Sequence, residues 1–382
     1  MIQFRFAAPL CLLLALGGGA ARAAVLTVGS GLGDYATLGA AVASASAGDT
    51  INVDSGTYTN DGADIAVPLT ITGVDTGGGL PVFTLNTSTG SLFDNKGFLV
   101  IDANTTIDSL ILENAAISSA LGDNGAGIRY QSGNLTVTNS SFVNDQNGIL
   151  GAPATKGSGI VLIQNSTFTC DGLASGAPTA ACPNAQGVGG SNAGLDHAIY
   201  IGNTASLTVT GSIFSGTQVG HDIKSRAAVT LVTGNSLEDG ATGSASYAVD
   251  LPDGGNATIS GNTITQGPGT GNSTMISYGE ELGTDGAVWT NNGLTVLGNL
   301  FDNTDPAGIA VDNLDSAVTV SVTCNAFNGS QTQASGLASL FGNVVGSALP
   351  SCANVPEPPG FAAPLAGFLV LILTRFGRRS AP

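Results

Sequence analysis

The chain has 382 residues, 56 of them glycine, and a formal net charge of −17. With 27 acids against ten basic residues, it lacks the clustered cations that release counterions from a phosphate backbone, which excludes nucleic acid as a general partner. The glycines follow no collagen period and therefore mark corners, and the length fits one elongated domain plus processing segments.

Residues 1–23 read as a secretory signal peptide. Arg5 supplies the positive start, residues 6–16 the apolar core, and the small residues 17–23 a cleavage site after Ala23. The apolar run is short and ends in glycines, so it does not read as a membrane anchor. A signal peptidase is the expected first processing partner. Downstream, residues 35–45 space their apolar positions like one short amphipathic helix, and residues 47–53, 56–58 and 69–73 read as strand pieces.

From residue 137 a short phrase recurs. It reads Val137-Thr138-Asn139-Ser140-Ser141-Phe142, and returns with its turn residue at Asn165, Gly211, Gly234, Gly261, Gly298 and Cys324. These turns lie 26, 46, 23, 27, 37 and 26 residues apart. Each copy is a β-branched step, a small turn residue, often Asn, and a large apolar residue three positions on. Such a period marks a solenoid. The Val, Ile, Thr and Phe content makes it an all-β one, with one strand–bend–strand coil per repeat. A β-sandwich of the same composition would not need one recurring coil phrase. Phe142, Phe168, Phe214, Leu237, Ile264, Phe301 and Phe327 are expected to stack inside, with an Asn column bonding along the axis at a bend.

The opening segment resembles that of right-handed parallel β-helix proteins of the pectin-lyase-like type. The resemblance spans roughly residues 25–345, and residues 24–350 are expected to form a single right-handed parallel β-helix. It implies that the short N-terminal helix caps the first coil, covering an edge that would otherwise recruit other strands. This fold hosts lyases, esterases, epimerases, hydrolases and non-enzymes, so it names no activity.

Cys11 leaves with the signal. Export permits disulfides among the remaining four cysteines, for which three pairings exist. Sequence proximity favours Cys170–Cys182, which would close a Gly/Ala/Pro-rich excursion, and Cys324–Cys352, which would pin the C-terminal end.

Between the end segments only Lys96, Arg129, Lys156, Lys224 and Arg226 stand against 26 of the 27 acids. Two of these five lie together in His221-Asp222-Ile223-Lys224-Ser225-Arg226. His197 precedes His221 by 24 residues and Tyr200 precedes Lys224 by 24, close to the neighbouring coil spacing of 23. These pairs are therefore expected one rung apart, about 4.8 Å. With Ile199 and Ile223 inward, Tyr200 and Lys224 face outward. Asp250 falls near the next rung, Glu280 and Glu281 at the margin, and Trp289 beyond them. Lys156 sits in a Gly-rich turn expected to lie away from this cluster.

Such a patch suits an anionic polysaccharide. For a lyase or C5-epimerase acting on uronates, Arg226 would hold the carboxylate bidentately. Lys224 or His221 would take the C5 proton, and Tyr200 or His197 would donate one. Asp250, Glu280 and Trp289 would contact the sugar. The same residues also admit non-catalytic carbohydrate binding. A purely structural network is the third reading, with Lys224 pairing with Asp250, and Arg226 with Asp222 or Glu238. Asp253-Gly254-Gly255 reads as a turn. No zinc spacing, phosphate loop, nucleophile elbow or Asp-rich Ca2+ constellation is evident, so no metal ligand or cofactor is assigned, although exposed carboxylates on so acidic a body suit Ca2+. A monomer is expected.

The C-terminus reads Val355-Pro356-Glu357-Pro358, then a mostly apolar run over residues 361–374, then Arg375, Arg378 and Arg379. Residues 355–379 resemble a PEP-CTERM sorting signal. The resemblance implies an exosortase-type processing protease, transient anchoring in the inner membrane with the arginines in the cytoplasm, and a final place at the cell surface or in an exopolysaccharide matrix. An adhesive or structural matrix protein is the alternative to a carbohydrate-active one.

Overall fold

The computed structural model describes residues 22–32, 34–86, 90–172, 182, 196–239, 243–282 and 289–352. The segment expected to be a signal peptide, residues 1–23, is described only from residue 22, and the expected sorting signal at 355–379 lies outside the described residues. Among the described residues no helix is long and apolar enough to cross a membrane.

Three faces of parallel strands wind around a common core. A twelve-stranded sheet runs from Val25–Val28 to Ala338–Phe341. Nineteen further strands build the second and third faces, joined where the long strand Leu300–Asn313 pairs first with Thr263–Gln266 and then with Thr274–Tyr278. The register places like on like. Phe142 pairs with Phe168, Phe168 with Phe214, Phe214 with Leu237, Leu237 with Ile264, Ile264 with Phe301 and Phe301 with Phe327. All seven are buried. Phe142, Phe168 and Phe214 stack with centroids 4.7 Å apart.

The bend between the first two faces explains the repeating phrase. It needs one residue in the left-handed region: Asn139 and Asn165 at φ 50° and 49°, Gly211, Gly234, Gly261 and Gly298 at 61–65°, and Cys324 at 57°. Glycine meets no Cβ penalty there and Asn tolerates the conformation best among side chains. The expected Asn column does bond along the axis at the bend, and its members are the residues that follow these turn residues. Ser140 N–H donates to Ser166 Oγ at 3.3 Å, Ser166 N–H to Ser212 Oγ at 3.2 Å, and Ser212 N–H to Asn235 Oδ1 at 2.9 Å. From there the column is Asn235, Asn262, Asn299, Asn325 and Asn343, each side-chain amide donating to the next Oδ1 at 2.9–3.3 Å. The other amide hydrogen reaches back to a strand carbonyl, as Asn262 does to Val232 O at 2.9 Å. Asn139 and Asn165 therefore turn the chain, while the ladder uses serine in the earlier coils and asparagine in the later ones.

The helix is Leu38–Ser44, shorter than the periodicity suggested. Tyr35 is held back because its N–H donates to Thr27 O at 2.8 Å. Thr37 Oγ1 accepts from Ala40 N–H, and the Asp61 carboxylate accepts from Leu38 N–H at 2.7 Å, satisfying donors that a helix start leaves open. Leu38 and Ala41 join the core. Disulfides link Cys170 to Cys182 and Cys324 to Cys352, closing loops of 12 and 28 residues. In the chain-entropy account each contributes about 3–4 kcal/mol by restricting the unfolded chain.

Asn262→Leu should test the ladder. It keeps an apolar filling but strips partners from the Asn235 N–H and the Val232 carbonyl, at about 1–3 kcal/mol for each buried group. Asn262→Ser keeps an acceptor, as Ser212 does, and should cost less. Denaturant unfolding that finds the two variants equally stable would show that the column merely fills space.

Candidate functional site

On the third face the strands Ile199–Ile201, Ile223–Ser225, Val249–Leu251 and Thr274–Tyr278 stack in order. Ile199, Ile223, Val249 and Ile276 pair and are buried. Alternation then sends Tyr200, Lys224, Asp250 and Ser277 to the outside in one column. Arg226, two residues past Lys224, extends the patch along the coil.

These side chains converge, but into a network richer in acid than expected. Lys224 Nζ lies 2.9 Å from Asp250 Oδ2 and 3.6 Å from Glu281 Oε1. Arg226 uses its whole fork: Nε donates to Tyr200 Oη at 2.9 Å, Nη1 to Asp253 Oδ1 at 2.5 Å, and Nη2 to Glu281 Oε2. Both cations lie within 6 Å of the Tyr200 ring centre, Lys224 Nζ at 5.7 Å and Arg226 Cζ at 5.9 Å. Arg226 thus pairs with Asp253 and Glu281 rather than with Asp222 or Glu238. Asp253, which reads as a turn residue in the sequence, is a principal partner, one coil length past Arg226.

Asp250 is not marginal. It is fully buried, and its Oδ1 has no hydrogen-bond partner among the described residues. Burial pushes its carboxyl up to about 6 against the pull of Lys224, with Glu280 and Glu281 adding to the rise. For Lys224, burial works against the ammonium, but Asp250 and then Glu281 outweigh it and hold the group above its ordinary value. A lysine so held is charged and is not a base in this state. Glu281 is partly desolvated, yet Arg226 and Lys224 hold it below the usual carboxylate range.

The histidines are buried rather than part of an open patch: His197 is 2% exposed and His221 7%. Their rings stack at 4.7 Å. His197 Nδ1 accepts from the His221 N–H at 3.1 Å, and His221 Nδ1 accepts from the Tyr247 N–H at 3.2 Å. Each imidazole therefore satisfies the backbone of the coil above. With Nδ1 occupied as an acceptor, the neutral ring carries its proton on Nε2, and that of His221 faces Asp250 Oδ2 at 3.5 Å. Burial, then neighbouring Lys224, drops His221 to about 3. Burial followed by His221, Lys224 and Arg226 drops His197 well below the ordinary histidine value. Both are neutral at physiological pH.

Glu280 is exposed. Burial first, then Glu280 and Asp250, raise the neighbouring Tyr247 to about 12. Trp289 is half-buried, and its Nε1 donates to the Arg226 carbonyl at 3.1 Å. Lys156 Nζ lies 4.8 Å over the Trp289 ring, so Lys156 is a neighbour of this site and not remote from it, and it covers a face that a sugar would use. Among the described residues no group of three His, Cys, Asp or Glu side chains is arranged to hold a metal ion.

Residues 193–347 match the family described as a right handed beta helix region. No curated protein matches the chain in sequence. Among solved structures, it is similar to the pectate lyase Pel9A, with a TM-score of 0.47 at 13% identity over 84% of this chain and 79% of that one. It is similar to the PL6 family alginate lyase AlyGC, with a TM-score of 0.45 at 15% identity over 87% of this chain; it spans only 40% of that enzyme's length. It is also similar to the A-module of the Azotobacter vinelandii mannuronan C-5 epimerase AlgE4, with a TM-score of 0.43 at 13% identity over 80% and 89% of the two chains. The fold is a right-handed parallel β-helix.

Removing Lys224 should expose the buried carboxylate beneath it. The folded state already raises Asp250 above its unfolded value, and Lys224→Met raises it further, so the penalty grows as pH climbs above the ordinary carboxylate range. At pH 8 the variant should lose about 3–5 kcal/mol, as when one partner of a buried pair is deleted, and at pH 5 distinctly less. A loss independent of pH, measured by urea unfolding, would overturn the pairing.

Proposed function

We propose that this chain is an exported parallel β-helix protein that binds an anionic polysaccharide, a polyuronate, across its third face. The observation that carries this reading is the meeting of Lys224 and Arg226 beside the Tyr200 ring on the third face. They are two of the five basic residues between the end segments. A planar carboxylate fits the gap between an ammonium and a guanidinium, and a sugar ring fits against an aromatic face. In this reading the signal peptide and the PEP-CTERM-like tail direct the protein through signal peptidase and an exosortase-type protease to the cell surface or its exopolysaccharide. The helix Leu38–Ser44 caps the first coil.

Lyase or epimerase chemistry is a narrower version of the same proposal. It requires an accessible unprotonated base: Lys224 is held charged, and the two neutral histidines are buried with Nδ1 engaged, so all three are poor candidates while the network is closed. Tyr200 is the better proton carrier: its oxygen accepts from Arg226 Nε, which leaves its own hydrogen free to point at a ligand. The structural alternative, a matrix protein whose shape is its function, is favoured by the complete pairing of Lys224 and Arg226 with acids of this chain.

Calorimetry with oligogalacturonates and oligomannuronates at millimolar concentration separates these. Arg226→Ala should weaken binding about tenfold to hundredfold, the worth of a charge-assisted contact. Lys156→Ala, which removes the cover on Trp289, should weaken it less or tighten it. Ultraviolet detection of unsaturated uronate ends reports lyase turnover, which Tyr200→Phe should then abolish while sparing binding. No heat from the wild-type protein with any uronate leaves the structural reading.

A further inference from the structure

We infer that Glu281 is an internal stand-in for a ligand carboxylate: it occupies a one-carboxylate site between Lys224 and Arg226 that a uronate takes over on binding. This inference rests on the polyuronate reading above and adds how the site is guarded.

Three acids meet the two cations, and they are not equivalent. The side chains of Asp250 and Asp253 are 1% and 3% exposed, whereas that of Glu281 is 31% exposed. Lys224 with Asp250 and Arg226 with Asp253 already form two neutral pairs within the coil stack. Buried charges need such partners, and these two pairs supply them without Glu281. Glu281 is then a third, excess carboxylate. Its two oxygens divide between the cations, Oε1 toward Lys224 and Oε2 toward Arg226. That is the bridging geometry a single planar anion would adopt.

The backbone beneath is fixed while the side chain is not enclosed. Glu281 N–H donates to Pro252 O at 3.0 Å and Gly279 N–H to Leu251 O at 3.0 Å, anchoring this turn to the preceding coil. Gly279 sits at φ 83°, a left-handed turn position. The carboxylate can swing to water by side-chain rotation alone, leaving the turn in place. An incoming carboxylate restores the charge that Glu281 withdraws, so exchange leaves the cluster's net charge unchanged. A neutral sugar has nothing to exchange, which makes Glu281 a selector for acidic residues along a mixed polymer.

Two measurements test this, one of them independent of any sugar. If Glu281 leaves the site about one tenth of the time, its removal tightens ligand binding about tenfold. Glu281→Ala and Glu281→Gln should therefore bind oligouronates about tenfold more tightly than wild type in calorimetry, and a neutral glucan oligomer no better. Glu281→Ala with Arg226→Ala should lose the gain. Separately, acetate should raise the melting temperature of Glu281→Ala but not that of wild type, with sodium chloride and sulfate at matched ionic strength as controls. Unchanged or weaker uronate binding by the variants overturns the inference while leaving the polyuronate reading intact. If acetate stabilises Glu281→Ala but no form binds uronates, the carboxylate site stands and the polysaccharide reading falls. Stabilisation by sulfate equal to that by acetate shows a general anion site and overturns the carboxylate assignment.

Discussion

A chain that winds back over itself must hydrogen-bond its backbone where each coil bends, because strands pair only along the flat faces. At the bend between the first and second faces this is done by inward-pointing Ser and Asn side chains, each accepting from the coil below. An unpaired backbone N–H in that interior costs as much as the ladder bond supplies. The bend therefore admits one coil register, and a slip would break every rung at once. That register carries the rest of the molecule. It stacks Phe on Phe in the core and, on the third face, places Tyr200, Lys224 and Asp250 in one column.

The electrostatics follow from placing scarce cations in an acidic body. Lys224 and Arg226 are not free to wait for a ligand, since aspartates lie one coil above each of them. Asp250 and Asp253 are buried by that stacking and need the cations as much as the cations need them. The pairs do not by themselves argue for stability, because desolvation offsets most of the attraction. Their consequence is positional. They hold an ammonium and a guanidinium at fixed separation beside an aromatic ring, and the more exposed Glu281 spans the two.

Much of this was legible in the chain. The period of the turn phrase carries the solenoid because one coil must return to one register, and the large apolar residue three positions on must face inward in each. The 24-residue offsets carry the pairing of Tyr200 with Lys224 for the same reason. What periodicity does not carry is the corner geometry. The ladder falls to the residue after each turn, since the left-handed residue spends its own side chain outward. His197 and His221 precede their strands and are buried beside the Tyr200–Asp250 column, where their Nδ1 atoms accept backbone donors. Asp253 and Glu281 come from the chain past a strand end, where no alternation rule applies. The coil spacing from Arg226 to Asp253 was the one signal available for that pair.

The closed network bears on how such a fold changes activity. A β-helix presents a flat flank whose rungs are all alike, so chemistry depends on which side chains share a column and what neutralises them. Here Asp250 and then Glu281 hold Lys224 charged against its burial, which silences it as a base, while burial keeps both imidazoles neutral within the stack. A ligand that brings its own carboxylate replaces Glu281 charge for charge, so the proposed exchange leaves the net charge of the cluster unchanged. On the proposed reading, recognition on this flank is an exchange of one anion for another. Its free energy is a difference between two similar ion pairs and not the full strength of either, so contacts with the sugar ring must supply much of the net affinity.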